Sequence, residues 1–123
     1  MRDHNKLRAF ELADNIAIQI YKLTKKYPKD ELYGLISQMR RSAVSVPSNI
    51  VEGCARHSQV EYVRFLDIAF GSLRELHYQL NLSERLGFVE TQDRQPIEAE
   101  IIEAEKVINA LIRSLRKPVN PSA

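Results

Sequence analysis

At 123 residues, with 44% hydrophobic and 28% charged positions, the chain can bury a core of its own and is too ordinary in composition for a disordered protein. Four glycines and five prolines supply few turns for an all-β fold, and the single cysteine, Cys54, excludes an internal disulfide and fits a reducing compartment. The start MRDHNKLRAF is charged and unlike a signal peptide, no apolar run approaches the ~20 residues a bilayer requires, and the net charge of +2 does not by itself imply nucleic acid. A cytoplasmic protein with no membrane association is expected.

Helical periodicity dominates the chain. In the first helix, expected over 6–26, Phe10, Ala13, Ala17 and Ile20 form one stripe flanked by Ile16 and Leu23. YPKDELYG breaks the pattern, and Pro28 with Asp30 can start a second helix over 30–54, where Leu32, Leu35, Met39, Ala43, Val46 and Ile50 recur at steps of three and four. Ser58-Gln59-Val60-Glu61 reads as a capping box, the serine and the glutamate each covering an orphan N–H. It opens a third helix over 59–86 with the seam Tyr62, Leu66, Ala69, Leu73, Leu76 and Leu80. Gly87 suits the C′ position after it, and Thr91 suits the N-cap of a fourth helix over 92–116, whose seam is Ile97, Ile101, Ala104, Ile108, Leu111 and Leu115. Residues 118–123 are expected to fray. Short loops force antiparallel neighbours, so the expected fold is all-α: one domain over 1–123, an antiparallel up-down-up-down four-helix bundle.

The third helix has more apolar surface than one bundle needs. Val63, Phe65, Ile68, Phe70, Tyr78 and Leu82 flank its seam, and the small Ala69, Gly71 and Ser72 would let another backbone come close. A central helix in a lopsided monomer would account for this; a subunit interface in a homo-oligomer accounts for it better, since a four-helix bundle leaves each helix an outer face.

The second helix poses the opposite question, because QMRRSAVSVPSNIVEG sets many polar groups and a proline in a helix meant to be buried. Pro47 removes a helical hydrogen bond and crowds the carbonyl of Ala43, so a kink is expected there, with Ser45 and Ser48 near enough to serve strained backbone groups. Gln38, Arg41, Ser45, Asn49 and Glu52 form a stripe away from the seam. A tight turn near Ala55 would set Arg40 and Arg41 within a turn of Ser72 and Glu75, and Asn49 near Tyr62. A guanidinium leaving water there needs a carboxylate, and Glu75 is the nearest. The expected structural polar network is Gln38, Arg40, Arg41, Ser45, Asn49, Glu52, Ser72 and Glu75.

No catalytic constellation is legible. His4, His57 and His77 are scattered, no Glu-x-x-His tetrapeptide occurs, the glycines are isolated, and Cys54 beside Arg56 and His57 reads as an inert half-buried cysteine. No enzyme, metal or cofactor is expected.

LISQMRRSAVSVPSNIVEG, then Arg56, then FLDIAFGSLRELHYQL resemble the signature of the four helix bundle protein family, whose founding members are encoded in intervening sequences of bacterial large-subunit ribosomal RNA genes. The family is similar to the accessory variability protein of diversity-generating retroelements. The resemblance covers about residues 6–116, and the matching positions are Gln38, Arg40, Arg41, Ser45, Pro47, Asn49, Glu52, Gly53, Arg56, Ser72 and Glu75. It implies a non-enzymatic ring of five bundles and, for the retroelement relatives, binding to nucleic acid and to a reverse transcriptase. Those relatives are strongly basic; this chain nets +2.

Sorted by height in such a bundle, the charges are uneven. The end holding the N-terminus, the turn between the second and third helices and the C-terminus gathers Arg2, Lys6, Arg8, Arg56, Arg64, Arg113, Arg116 and Lys117, eight cations against Asp3, Glu11, Glu52 and Glu61, a net of +4. The opposite end nets zero and the middle −2. In a ring of parallel subunits these eight residues would line one rim, a seat for the phosphates of structured RNA. The alternative function is a scaffold whose ring docks a protein partner without binding nucleic acid.

Overall fold

The computed structural model describes residues 2–116, so Lys117 and the tail expected to fray lie outside the described residues. Four α-helices run α1 (Arg8–Thr24), α2 (Leu35–Cys54), α3 (Gln59–Arg85) and α4 (Thr91–Arg116), with short 3-10 turns at His4–Lys6 and Lys29–Glu31. Each helix packs antiparallel on its chain neighbours, and α1 closes the circuit against α4. The core is built from most of the seam positions read from the sequence: Ile16, Ile20, Met39, Ile50, Leu66, Leu73, Leu76, Leu80, Ile101 and Ile108 are all essentially fully buried, whereas Phe10, Leu35, Leu111 and Leu115 are only partly buried against them.

The helix ends show where local chemistry outweighs periodicity. α2 begins at Leu35, not near residue 30, which leaves Leu32 half exposed and outside the seam. The Glu31 carboxylate reaches forward to the Leu35 N–H (3.0 Å) and covers one orphan donor of the first turn. Gly34 makes room for it, since a Cβ there would stand 2.9 Å from Glu31 Oε1. The capping box is half realised: Ser58 Oγ accepts from the Glu61 N–H (3.1 Å), but the Glu61 carboxylate turns to Arg64 (3.3 Å). α3 ends as expected at Gly87 (φ 81°), with Gly87 N–H on Glu84 O and Phe88 N–H on Ser83 O, the paired bonds of a Schellman motif. Thr91 is the first residue of α4 rather than its N-cap, and its hydroxyl donates to Glu84 Oε2 (3.2 Å). Ile112 is buried in the last turns of α4, where Leu111 was expected.

α2 runs unbroken through the buried Pro47. At its C-terminal end the backbone comes close to α3: a Cβ on Gly53 would lie 2.9 Å from Phe65 Cβ and 3.2 Å from Tyr62 Cδ1. The N-terminal arm closes over this end. Arg2 donates its N–H to Cys54 O (3.3 Å) and a guanidinium N–H to Arg56 O (2.9 Å), with the guanidinium stacked on the Tyr62 ring at 4.1 Å. A cation just beyond the C-terminus of α2 is favoured by the helix dipole. Beneath the arm Cys54 is buried; burial pushes its thiol pKa up and pushes the Tyr62 hydroxyl up to about 12.

The Gly53 contact gives the first prediction. Alanine in place of a glycine in a helix interior gains up to ~1 kcal/mol, and less in the last turn where Gly53 stands, but overpacking a tight contact costs about 1–3 kcal/mol. Gly53→Ala should therefore lower the melting temperature by several degrees in a thermal scan. A rise would mean that the helices separate at no cost.

Candidate interaction surfaces

The polar stripe of α2 divides into three parts. Arg40 turns toward α1. Its Nε donates to Thr24 Oγ1 (2.9 Å), a second N–H reaches Tyr21 O (3.4 Å), and the guanidinium lies over the Tyr21 ring at 4.6 Å. Thr24, itself buried, passes the bond on to Ile20 O (2.7 Å). Hydroxyl, carbonyl and aromatic face together serve the cation, and the expected pairing of Arg40 with Glu75 does not form. The register differs from the one a tight turn near Ala55 would set. Ser45 meets Ser72 (2.9 Å between the hydroxyls), which still leaves Arg41 within a turn of Ser72 and in one groove with Glu75, and Gly53, not Asn49, meets Tyr62.

The second part is a small polar knot beside Pro47. Asn49 Nδ2 donates to both Ser45 O (2.8 Å) and Ser45 Oγ (3.0 Å), one turn back. Through the Ser45–Ser72 bond it links α2 to α3 with every named group satisfied. Glu52 points away and pairs with Arg56 at 2.7 Å.

The third part is uncommitted. Among the described residues, the side chains of Gln38, Arg41 and Glu75 make no hydrogen bond or ion pair, so Arg41 does not pair with Glu75 either. Arg41 and Glu75 face the same open groove of about 790 Å³, with Gln38, Val44, Ser45 and Ser72. Beyond the groove, the outer surface of α3 leaves Ile68 40% and Tyr78 58% exposed, and Val44 on α2 is 40% exposed. The surplus apolar surface expected on α3 is thus partly buried within the bundle, at Val63 and Phe65, and partly on this outer face.

The basic end is less basic than its cations alone suggest. Arg8 pairs with Glu103 (3.4 Å), Arg56 with Glu52, Arg64 with Glu61 and Arg116 with Asp67. Arg2 is spent on the α2–α3 turn. Lys6 and Arg113 make no such contact among the described residues. Glu103 and Asp67, which height alone assigns to the middle, belong with this end; six acids then stand against the same eight cations, and the expected +4 falls to +2. The sequence signal that could have found them is their one-turn reach along α3 and α4 from the arginines they meet.

Between α3 and α4 lies a cluster that the sequence reading missed. His77 Nδ1 is 2.9 Å from Glu105 Oε2, and its Nε2 is 2.8 Å from Glu98 Oε2. Glu105 also takes Arg74 (3.2 Å), and Glu98 takes Asn81 (3.1 Å) and Arg94, which bridges on to Glu84. An imidazole between two carboxylates satisfies both only as imidazolium, because a neutral ring has one N–H. Burial alone would lower the His77 pKa, but the hydrogen bonds and charges of Glu105 and Glu98 outweigh it and raise the value above 6.5. The bond from His77, aided by Asn81 and Arg94 against the cost of burial, holds the Glu98 carboxyl below its usual range. The signal in the sequence was the spacing of Glu98 and Glu105, two turns apart on one face of a helix.

Among the described residues no three His, Cys, Asp or Glu side chains are grouped so as to hold a metal ion, and no helix is long and apolar enough to cross a membrane. The sequence model of the 23S rRNA-intervening sequence protein family matches residues 5–110. A crystal structure of a protein with unknown function from the S23 ribosomal protein family, from Bacteroides thetaiotaomicron VPI-5482, superposes with a TM-score of 0.79 at 23% identity, covering 85% of this chain and 95% of that one. That likeness bears on the fold. No curated protein matches the chain.

The His77 cluster carries a pH dependence. A histidine whose folded pKa is raised stabilises fully below its unfolded value, about 6.5, and the contribution is lost as pH rises through the folded value. Glu98, with its folded pKa lowered, contributes above about 4.5 and loses that contribution as pH falls through its folded value. Denaturant unfolding from about pH 6 to about pH 9 should therefore show stability falling, with a limiting slope of about 1.4 kcal/mol per pH unit for one proton. His77→Gln cannot titrate and should flatten that limb. An unchanged limb in the variant would assign the loss to other groups.

Proposed function

The chain belongs to the 23S rRNA-intervening sequence protein family, and from that premise we propose that it works as a non-catalytic bundle that assembles with itself and offers the assembly to a macromolecular partner as a scaffold. One observation carries the reading. The polar residues that could have made an active site are either consumed in holding helices together or stand uncommitted in the outer α2–α3 groove beside exposed Val44, with Ile68 and Tyr78 also exposed on α3. An apolar surface rimmed by polar groups is what a protein contact uses. Five subunits in a ring is the number the family resemblance implies, and a buried free thiol at Cys54 suits a cytoplasmic setting. Light scattering at micromolar concentration should return a multiple of the 14.2 kDa chain mass, fivefold for the ring. The monomer mass would defeat the assembly reading.

Structured RNA is the second reading of the partner, and what favours it is that Lys6 and Arg113 stand at one end of the bundle without an acid partner among the described residues. The exposed pairs made by Arg8, Arg64 and Arg116 are worth little in water and can open to a phosphate, but each leaves a carboxylate beside it. The salt dependence of any RNA binding should therefore be shallow. Neutralising Lys6 and Arg113 together should lower the slope of log K against log salt by about 0.7–0.9 for each phosphate that is no longer neutralised. Filter binding of a structured RNA at several salt concentrations measures this; no binding by the unaltered protein at low salt would leave the scaffold reading alone.

A further inference from the structure

Resting on the self-assembly reading above, we propose that the α2–α3 face is covered by a second copy of the chain, with Arg41 of one copy paired to Glu75 of the next and Gly71 at their closest approach. Three observations lead there. Arg41 and Glu75 are both exposed and both unpaired among the described residues, yet they border one groove. The face therefore carries one free guanidinium on its α2 edge and one free carboxylate on its α3 edge, so the α2 edge of one copy complements the α3 edge of another. A phosphate backbone would meet Glu75 as a repelling charge, and a partner of one charge sign would satisfy only half of the pair.

The second observation is their level. Ser45 of α2 faces Ser72 of α3, and Arg41 and Glu75 lie one turn from these residues in the same direction along the bundle. They stand at one height, on opposite sides of the α2–α3 seam. Rotation about an axis parallel to the helices keeps heights unchanged, so it brings the α2 edge of one copy to the α3 edge of the next with the two charges in register. Repeating that rotation closes a ring of parallel subunits.

The third observation is Gly71. It sits in mid-helix on the stripe of Ile68, Glu75 and Tyr78, and a Cβ added there would meet nothing within 4 Å in the chain itself. Glycine at such a position weakens a helix for no intramolecular return. A neighbouring backbone against α3 supplies the reason.

The test is a charge exchange read by light scattering, with circular dichroism to confirm that each variant keeps its helices. R41E and E75R should each raise the concentration of half-dissociation on the order of thirtyfold or more, and the double variant R41E/E75R should restore assembly. Gly71→Gln should dissociate the assembly while raising the melting temperature of the freed subunit. Wild-type mass in both single charge variants would overturn the proposal and leave self-assembly standing through another face. A double variant as weakened as the singles would overturn the pairing. A monomeric wild type would remove the assembly reading and this inference with it. RNA binding abolished in R41E with the mass unchanged would assign the face to nucleic acid and overturn the second-copy proposal.

Discussion

How closely α2 and α3 approach decides the rest of the molecule. Gly53 lets the two backbones meet where any side chain would strike Phe65 and Tyr62. That contact fixes the register at which Ser45 finds Ser72, and the register sorts the adjacent arginines. Arg40 falls on the α1 side, where Thr24 and Tyr21 hold it, and Arg41 falls on the outer side, where nothing among the described residues does. One missing Cβ thus separates a structural cation from an uncommitted one.

Charge in this bundle is arranged to cancel locally. Four of the described arginines at the N-terminal end find carboxylates, a fifth closes the α2–α3 turn, and the imidazole of His77 is enclosed by two glutamates of α4. Local cancellation weakens the long-range field that would draw in a polyanion. It also leaves Arg41 and Glu75 conspicuous, because they are opposite charges that share a groove without meeting.

The architecture was legible because it depends on periodicity. All six positions of the α3 seam are buried, and Ser58 and Gly87 mark the two ends of that helix as their chemistry predicts. Polar partnerships were not legible, for a geometric reason. Sliding α3 along α2 leaves the seam of each helix apolar but changes which residue meets Ser45, so the hydrophobic pattern cannot fix the register. Charge alone assigns Arg40 a carboxylate, whereas the structure uses a hydroxyl, a carbonyl and an aromatic ring. Charge sorted by height places Glu103 and Asp67 too far from the arginines they serve, since long side chains reach more than a turn along the bundle. α2 starts later than its apolar pattern suggests because Pro28 and Asp30 open only a 3-10 turn, and the true first turn depends on Glu31 reaching over Gly34.

The N-terminal arm over Cys54 gives the molecule a reporter of its own. The thiol is protected twice: the arm and Tyr62 exclude a reagent from it, and burial keeps it protonated when a nucleophile would need the thiolate. Alkylation can then proceed only through molecules in which that end of the bundle has opened. The rate at which this one sulfur is modified under native conditions thus counts the open fraction directly, and it gives the local opening free energy of the α2–α3 turn apart from that of the whole chain.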